Sequence, residues 1–128
     1  MTRLCFLLKA QNEYAIQSPY LYRLYRTLLA PRLDRPTLLR AGLSRRDRCG
    51  QLRYKFADHF TACWNGDRLV LPDGSLLFLV EHPHGCRDTE QRWNLLVNDP
   101  SVTLSVDLFY AGLAFTSKRL SKQHFLLS

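Results

Sequence analysis

From Ser101 to Phe115 the chain reads SVTLSVDLFYAGLAF. Val102, Leu104, Val106 and Leu108 alternate with Thr103, Ser105 and Asp107, a period of two that predicts a strand with one buried face. Tyr110-Ala111-Gly112 predicts a break, Leu113 to Phe115 an antiparallel return, and Gln123 to Leu127 a further short extended piece. Upstream, Ser75 to Val80 (SLLFLV) is a continuous apolar run between turn residues, the pattern of a strand covered on both faces. After the loop EHPHGCR, Asp88 or Thr89 caps a predicted helix running to about Asn98, with Trp93, Leu96 and Val97 on one face and Pro100 as its stop. Strand, helix and strand at these lengths form a βαβ unit, which places both strands in one sheet.

The first half is patterned as helices. Arg3 to Ala10 (RLCFLLKA) is a short apolar helix candidate. Ser18-Pro19 supplies a capping side chain and a proline suited to a first helical position. Tyr20, Leu21, Leu24, Tyr25 and Leu28 then recur at helical spacing, predicting a helix from Pro19 to Leu29 that Pro31 ends. Pro31 to Cys49 reads as an arginine-rich linker, with a turn of helix at Thr37 to Gly42. Gly50 to Ala62 is the second firm helix, its stripe formed by Leu52, Phe56 and Phe60. Asn65-Gly66 and Pro72-Asp73-Gly74 are turns, and Arg68 to Leu71 fits a short extended run between them.

Composition narrows the class. With 128 residues, one domain is expected, divided here into residues 1–49, a helical leader and basic linker, and residues 50–128, the sheet-bearing part. Lys and Arg outnumber Asp and Glu 18 to 11, but the arginines are dispersed, so a solvated basic face is the simplest account. Tyr14, Tyr20, Tyr22 and Tyr25 beside Arg23 and Arg26 could stack bases, yet they also lie at helical spacing. Nucleic-acid binding thus rests on charge alone. Cys5, Cys49, Cys63 and Cys86 form no CxxC, and the apolar run Leu4 to Leu8 is too short for a signal sequence. Reduced thiols and a cytoplasmic location are the expectation. No apolar window approaches the ~20 residues that span a bilayer.

Two places carry candidate chemistry. In HPHGC, His82, His84 and Cys86 at alternate positions could face one ion, with His59 or Cys63 completing a tetrahedron. The spacing matches no standard zinc pattern, so ordinary hydrogen bonding is the plainer reading and no metal is expected. Glu81 is the carboxylate at the end of the Ser75 strand, where ligands of open α/β sheets sit. His124 beside Phe125 reads as structural, and no nucleophile has a recognisable elbow or base partner.

LPDGSLLFLVEH, the Trp93 helix, VDLFYAGLAF and KQHF together resemble the end of a bacterial family of class I S-adenosylmethionine-dependent methyltransferases. QNEYAIQSPYLYRLY resembles the same family's leader, and Gly50 to Phe60 the helix before its first Rossmann-like strand. The resemblance implies an α/β fold, a reduced Rossmann-like sheet of three to four strands with N-terminal helices. It also exposes a gap. The family places a strand and a glycine-rich turn directly after that helix, with an acidic residue on the next strand for the ribose hydroxyls. Here Trp64-Asn65-Gly66-Asp67 leads almost at once to Pro72-Asp73-Gly74, whereas a βαβ unit needs roughly 30 residues. The glycines at 42, 50, 66, 74, 85 and 112 form no GxGxxG.

The leader's histidine is replaced by Gln17, and the acidic pair of the late strand by Val80-Glu81. The resemblance puts Gln17 and Glu81, with His82 and His84 beyond, near the family's substrate pocket. It implies S-adenosylmethionine as the family's cofactor, but for this chain no cofactor is expected. The first functional expectation is a truncated, non-catalytic companion or binding subunit, forming homo- or hetero-oligomers through an exposed sheet edge. The alternatives are a methyltransferase with a remodelled site at Glu81, His82 and His84, and a small basic nucleic-acid-binding module.

Overall fold

The computed structural model describes residues 19–120 and 122–127. The predicted helix at Arg3 to Ala10, together with Gln17 and the Ser18 cap, lies outside them. Helix α1 (Pro19–Leu24) passes directly into a π-helical turn, Tyr25–Leu29. The predicted single helix is therefore present in length but widened in its last turn. Helix α2 (Arg35–Ala41) lies inside the predicted linker. Asp34 caps it through the Thr37 amide, and Gly42 closes it at φ 69°, a left-handed value that glycine adopts without strain. Helix α3 (Arg48–Phe60) begins two residues before the predicted start because Asp47 accepts from the Gly50 amide.

Strands β1 (Arg68–Val70) and β2 (Leu76–Glu81) are followed by helix α4 (Arg87–Val97), then β3 (Leu104–Asp107), β4 (Ala111–Phe115) and β5 (Gln123–Leu126). They form one mixed sheet in the order β1-β2-β4-β3-β5. The five strands exceed the predicted three to four because the two short end pieces both join the sheet. Strands β2 and β3 each pair antiparallel with β4, so they run the same way, and β5 is parallel to β3. The β2–α4–β3 unit does place both strands in one sheet, but β4 is inserted between them.

Each face of the sheet is covered. Leu77, Leu79, Leu104, Val106, Leu113 and Phe115 pack on one side with Leu21, Leu24 and Leu28 and with Leu52 and Phe56 of α3. On the other side α4 lays Trp93 over Val102 and Ala114, beside Phe78 and Val80. This corrects the one-sided reading of the Ser101 strand: all four residues of β3 are buried, Ser105 and Asp107 included. Both polar residues lie on the α4 side, where alternation alone would have left them in water.

The inner edge of the sheet is also closed more than expected. Strand β1 pairs with Leu76, Leu77 and Phe78, and Leu79 donates to the carbonyl of Asp67. A three-residue strand bearing an exposed arginine is a poor template for further pairing. No helix among the described residues is long and apolar enough to cross a membrane.

Candidate functional site

Strand β2 and the parallel pair β3 and β5 all end at the same margin of the sheet, so Glu81, Asp107 and Leu126 meet there with the loops that follow. The Tyr110 carbonyl ties these loops together, accepting from the His82 amide and from the Cys49 thiol at 3.3 Å. Burial pushes that thiol up to about 11, with Glu81 and Asp47 adding to the effect. Cys49 is therefore a closed, unreactive group.

His84 is the centre of the α4 side of this margin. Its Nε2 meets Asp107 Oδ2 and its Nδ1 meets Glu90 Oε2, both at 2.5 Å. Each contact needs a proton, so the ring is an imidazolium or one carboxyl is protonated. Asp107 is 2% exposed at its side chain and takes two more donors, the Trp93 indole at 3.2 Å and the Phe109 amide at 2.9 Å. Phe109 itself sits at φ 72°, held there by that carboxylate and by its ring stacked on His84 at 5.6 Å. Close by, Ser105 Oγ meets His124 Nδ1 at 2.6 Å.

This cluster is arranged to hold structure. Both nitrogens of His84 are engaged by carboxylates and its side chain is 4% exposed. It fastens the start of α4 to the end of β3.

The sequence candidates are separated by the sheet. Glu81 lies on the α3 face, over half exposed and 3.6 Å from Arg53. His82 is exposed at φ 46°. His84 faces the opposite side, and Cys86, also exposed, pairs with Thr89 Oγ1 at 3.1 Å. Of the residues Glu81, His82 and His84, the first and last thus lie on opposite faces of the sheet. Among the described residues no group of three or more His, Cys, Asp or Glu is disposed to hold a metal. Gln17 lies outside them. Sequence reasoning missed Asp107 and Glu90, which stand 23 and 6 positions from His84. The only hint was an acidic residue inside a strongly apolar run.

On the α3 face the same margin opens into a cleft of about 820 Å³ between the Tyr25–Leu29 turn, α2 and the first turns of α3, with Leu108, Tyr110 and Leu127 at its floor. The Arg48 guanidinium lies 3.7 Å from the centre of the Tyr110 ring. Burial raises the Tyr110 phenol above its ordinary value, with Arg48 opposing. Lys55 donates to the carbonyls of Leu28 and Pro31 and so fixes one wall. Burial lowers its ammonium, and Arg48 adds to that.

Compared with models of protein families, with curated proteins and with solved structures, the chain shows no significant match.

Proposed function

We propose that the chain is a methyltransferase-like protein without the cofactor half, which does not transfer methyl groups itself and serves as a binding or companion subunit. The observation carrying this reading is the segment between α3 and β2. From Thr61 to Ser75 it holds a turn, the three residues of β1 and a second turn. It offers neither a glycine-rich approach to a nucleoside nor an acidic strand end to hold ribose hydroxyls. The order of β2, α4, β3 and the antiparallel β4 is what the resemblance implies for the end of such a sheet, and it supports the kinship.

Calorimetric titration with S-adenosylmethionine tests the reading. No saturable binding up to millimolar concentration is expected, and a micromolar dissociation constant would overturn it. Size exclusion with light scattering tests the companion role. Self-association, or a complex with an intact methyltransferase of the resembled family, is the expected result.

A further inference from the structure

The cleft on the α3 face gathers more cations than the fold uses, since Arg48 caps Tyr110 and Lys55 holds two carbonyls but Arg32, Arg35 and Arg45 line it as well. Among the described residues, Arg32, Arg35, Arg45, Arg48 and Lys55 line it against the single carboxylate of Asp34. Asp34 caps the Thr37 amide and neighbouring Asp47 that of Gly50, and counting both charges still leaves the cations in excess. Among the described residues none of these four arginines forms a salt bridge. Holding guanidinium groups of one sign around a concavity costs electrostatic energy, and an anion relieves it.

The walls say what else the ligand carries. Leu29, Leu38, Leu52, Leu108 and Leu127 supply apolar surface, and Tyr110 a ring already capped by Arg48. A volume of about 820 Å³ suits a small organic molecule. The location, beyond the carboxyl ends of parallel strands, is where open α/β sheets bind ligands. One carboxylate would leave most of the cations unneutralised, whereas a phosphate presents more charge and a geometry that arginine meets in bidentate fashion.

We propose that this cleft is a binding site for a phosphorylated small molecule with an apolar or aromatic body. The phosphate lies among Arg32, Arg35, Arg45 and Arg48, and the body rests on Leu108, Tyr110 and Leu127. The proposal does not rest on the methyltransferase reading, since a chain that binds no methyl donor still presents this cleft.

Fluorescence titration with naphthyl phosphate tests it, with naphthol, inorganic phosphate and a single-stranded oligonucleotide as comparisons. Saturable binding is expected, tighter than for naphthol or for inorganic phosphate, and competed by the latter. Arg35→Ala and Arg48→Glu should each weaken it by about tenfold or more. Arg92→Glu, at an exposed position of α4 across the sheet, should leave it unchanged. Arg35 is exposed at the start of α2, so its variant reads binding even where Arg48→Glu disturbs the Tyr110 contact. Lack of saturation, equal weakening by Arg92→Glu, naphthol binding as tightly, or tighter binding of the oligonucleotide would each overturn the proposal.

Discussion

The indole of Trp93 lies so close to Gly112 that a Cβ built on the glycine would stand 2.7 Å from Cζ3 and Cη2 of the ring. Glycine is required here for space. Gly112→Ala must push the ring or α4 outward, and overpacking of this kind costs about 1–3 kcal/mol. Urea denaturation is expected to show that loss; an unchanged midpoint would mean that α4 does not seat on β4 in this way.

Asp107 accepts from Trp93 and Phe109 and shares a proton with His84 while almost wholly buried. Asp107→Ala strands all three partners, for which a loss of about 3–5 kcal/mol is expected. Asp107→Asn retains an acceptor for the Phe109 amide and should lose less. Thermal unfolding of the two variants checks the order, and equal losses would remove the Phe109 contact from the account.

His124 ties stability to pH. Its strand is at the sheet edge and over a third of the residue is open to water, but Nδ1 faces Ser105. Burial lowers its imidazole below the ordinary value, helped by His84 and Lys122 and opposed by Asp107. Between that lowered value and the ordinary ~6.5, the unfolded chain holds a proton that the folded chain does not. The contribution is therefore complete above about pH 6.5 and is lost as pH falls through the folded value. Urea unfolding at a series of pH values should show a modest acid loss that His124→Gln reduces; identical slopes would refute it.

The thiols should react in a fixed order. Cys86 is exposed, and the Thr89 hydroxyl lowers its pKa, whereas Cys49 is buried and raised to about 11. With an aromatic disulfide reagent near neutral pH, mass spectrometry should find Cys86 labelled in the native protein and Cys49 only after unfolding. Thr89→Val should slow Cys86. Early labelling of Cys49 would show that the Tyr110 loop opens readily.

The elements were legible where one physical signal governed them. The run Ser75 to Val80 is covered on both faces and reads so, and the Leu52, Phe56 and Phe60 stripe marks α3 because that helix has one dry side. The burial of the polar positions of β3 is not legible, because alternation cannot show that a helix arriving from upstream covers the second face. Ser105 and Asp107 survive there through partners that come from α4, the His84 loop and β5. In HPHGC, what His84 does depends on Glu90 and Asp107, which folding alone brings together. The basic cleft is equally invisible in the sequence: its arginines lie in a stretch that reads as a solvated linker, and only folding brings α2, α3 and the end of the sheet around one hollow.

The two tryptophans occupy contrasting surroundings. Trp93 is 1% exposed beneath α4, while Trp64 is only partly covered, its indole donating to the Arg53 carbonyl at 2.7 Å with the Arg53 guanidinium 5.1 Å above the ring. The chain therefore carries two natural emitters, one dry and one within reach of a soluble quencher, on opposite sides of the same sheet. Iodide extinguishes the outer one first, leaving a signal that reports the seating of α4, so each layer can be watched coming loose without attaching a dye.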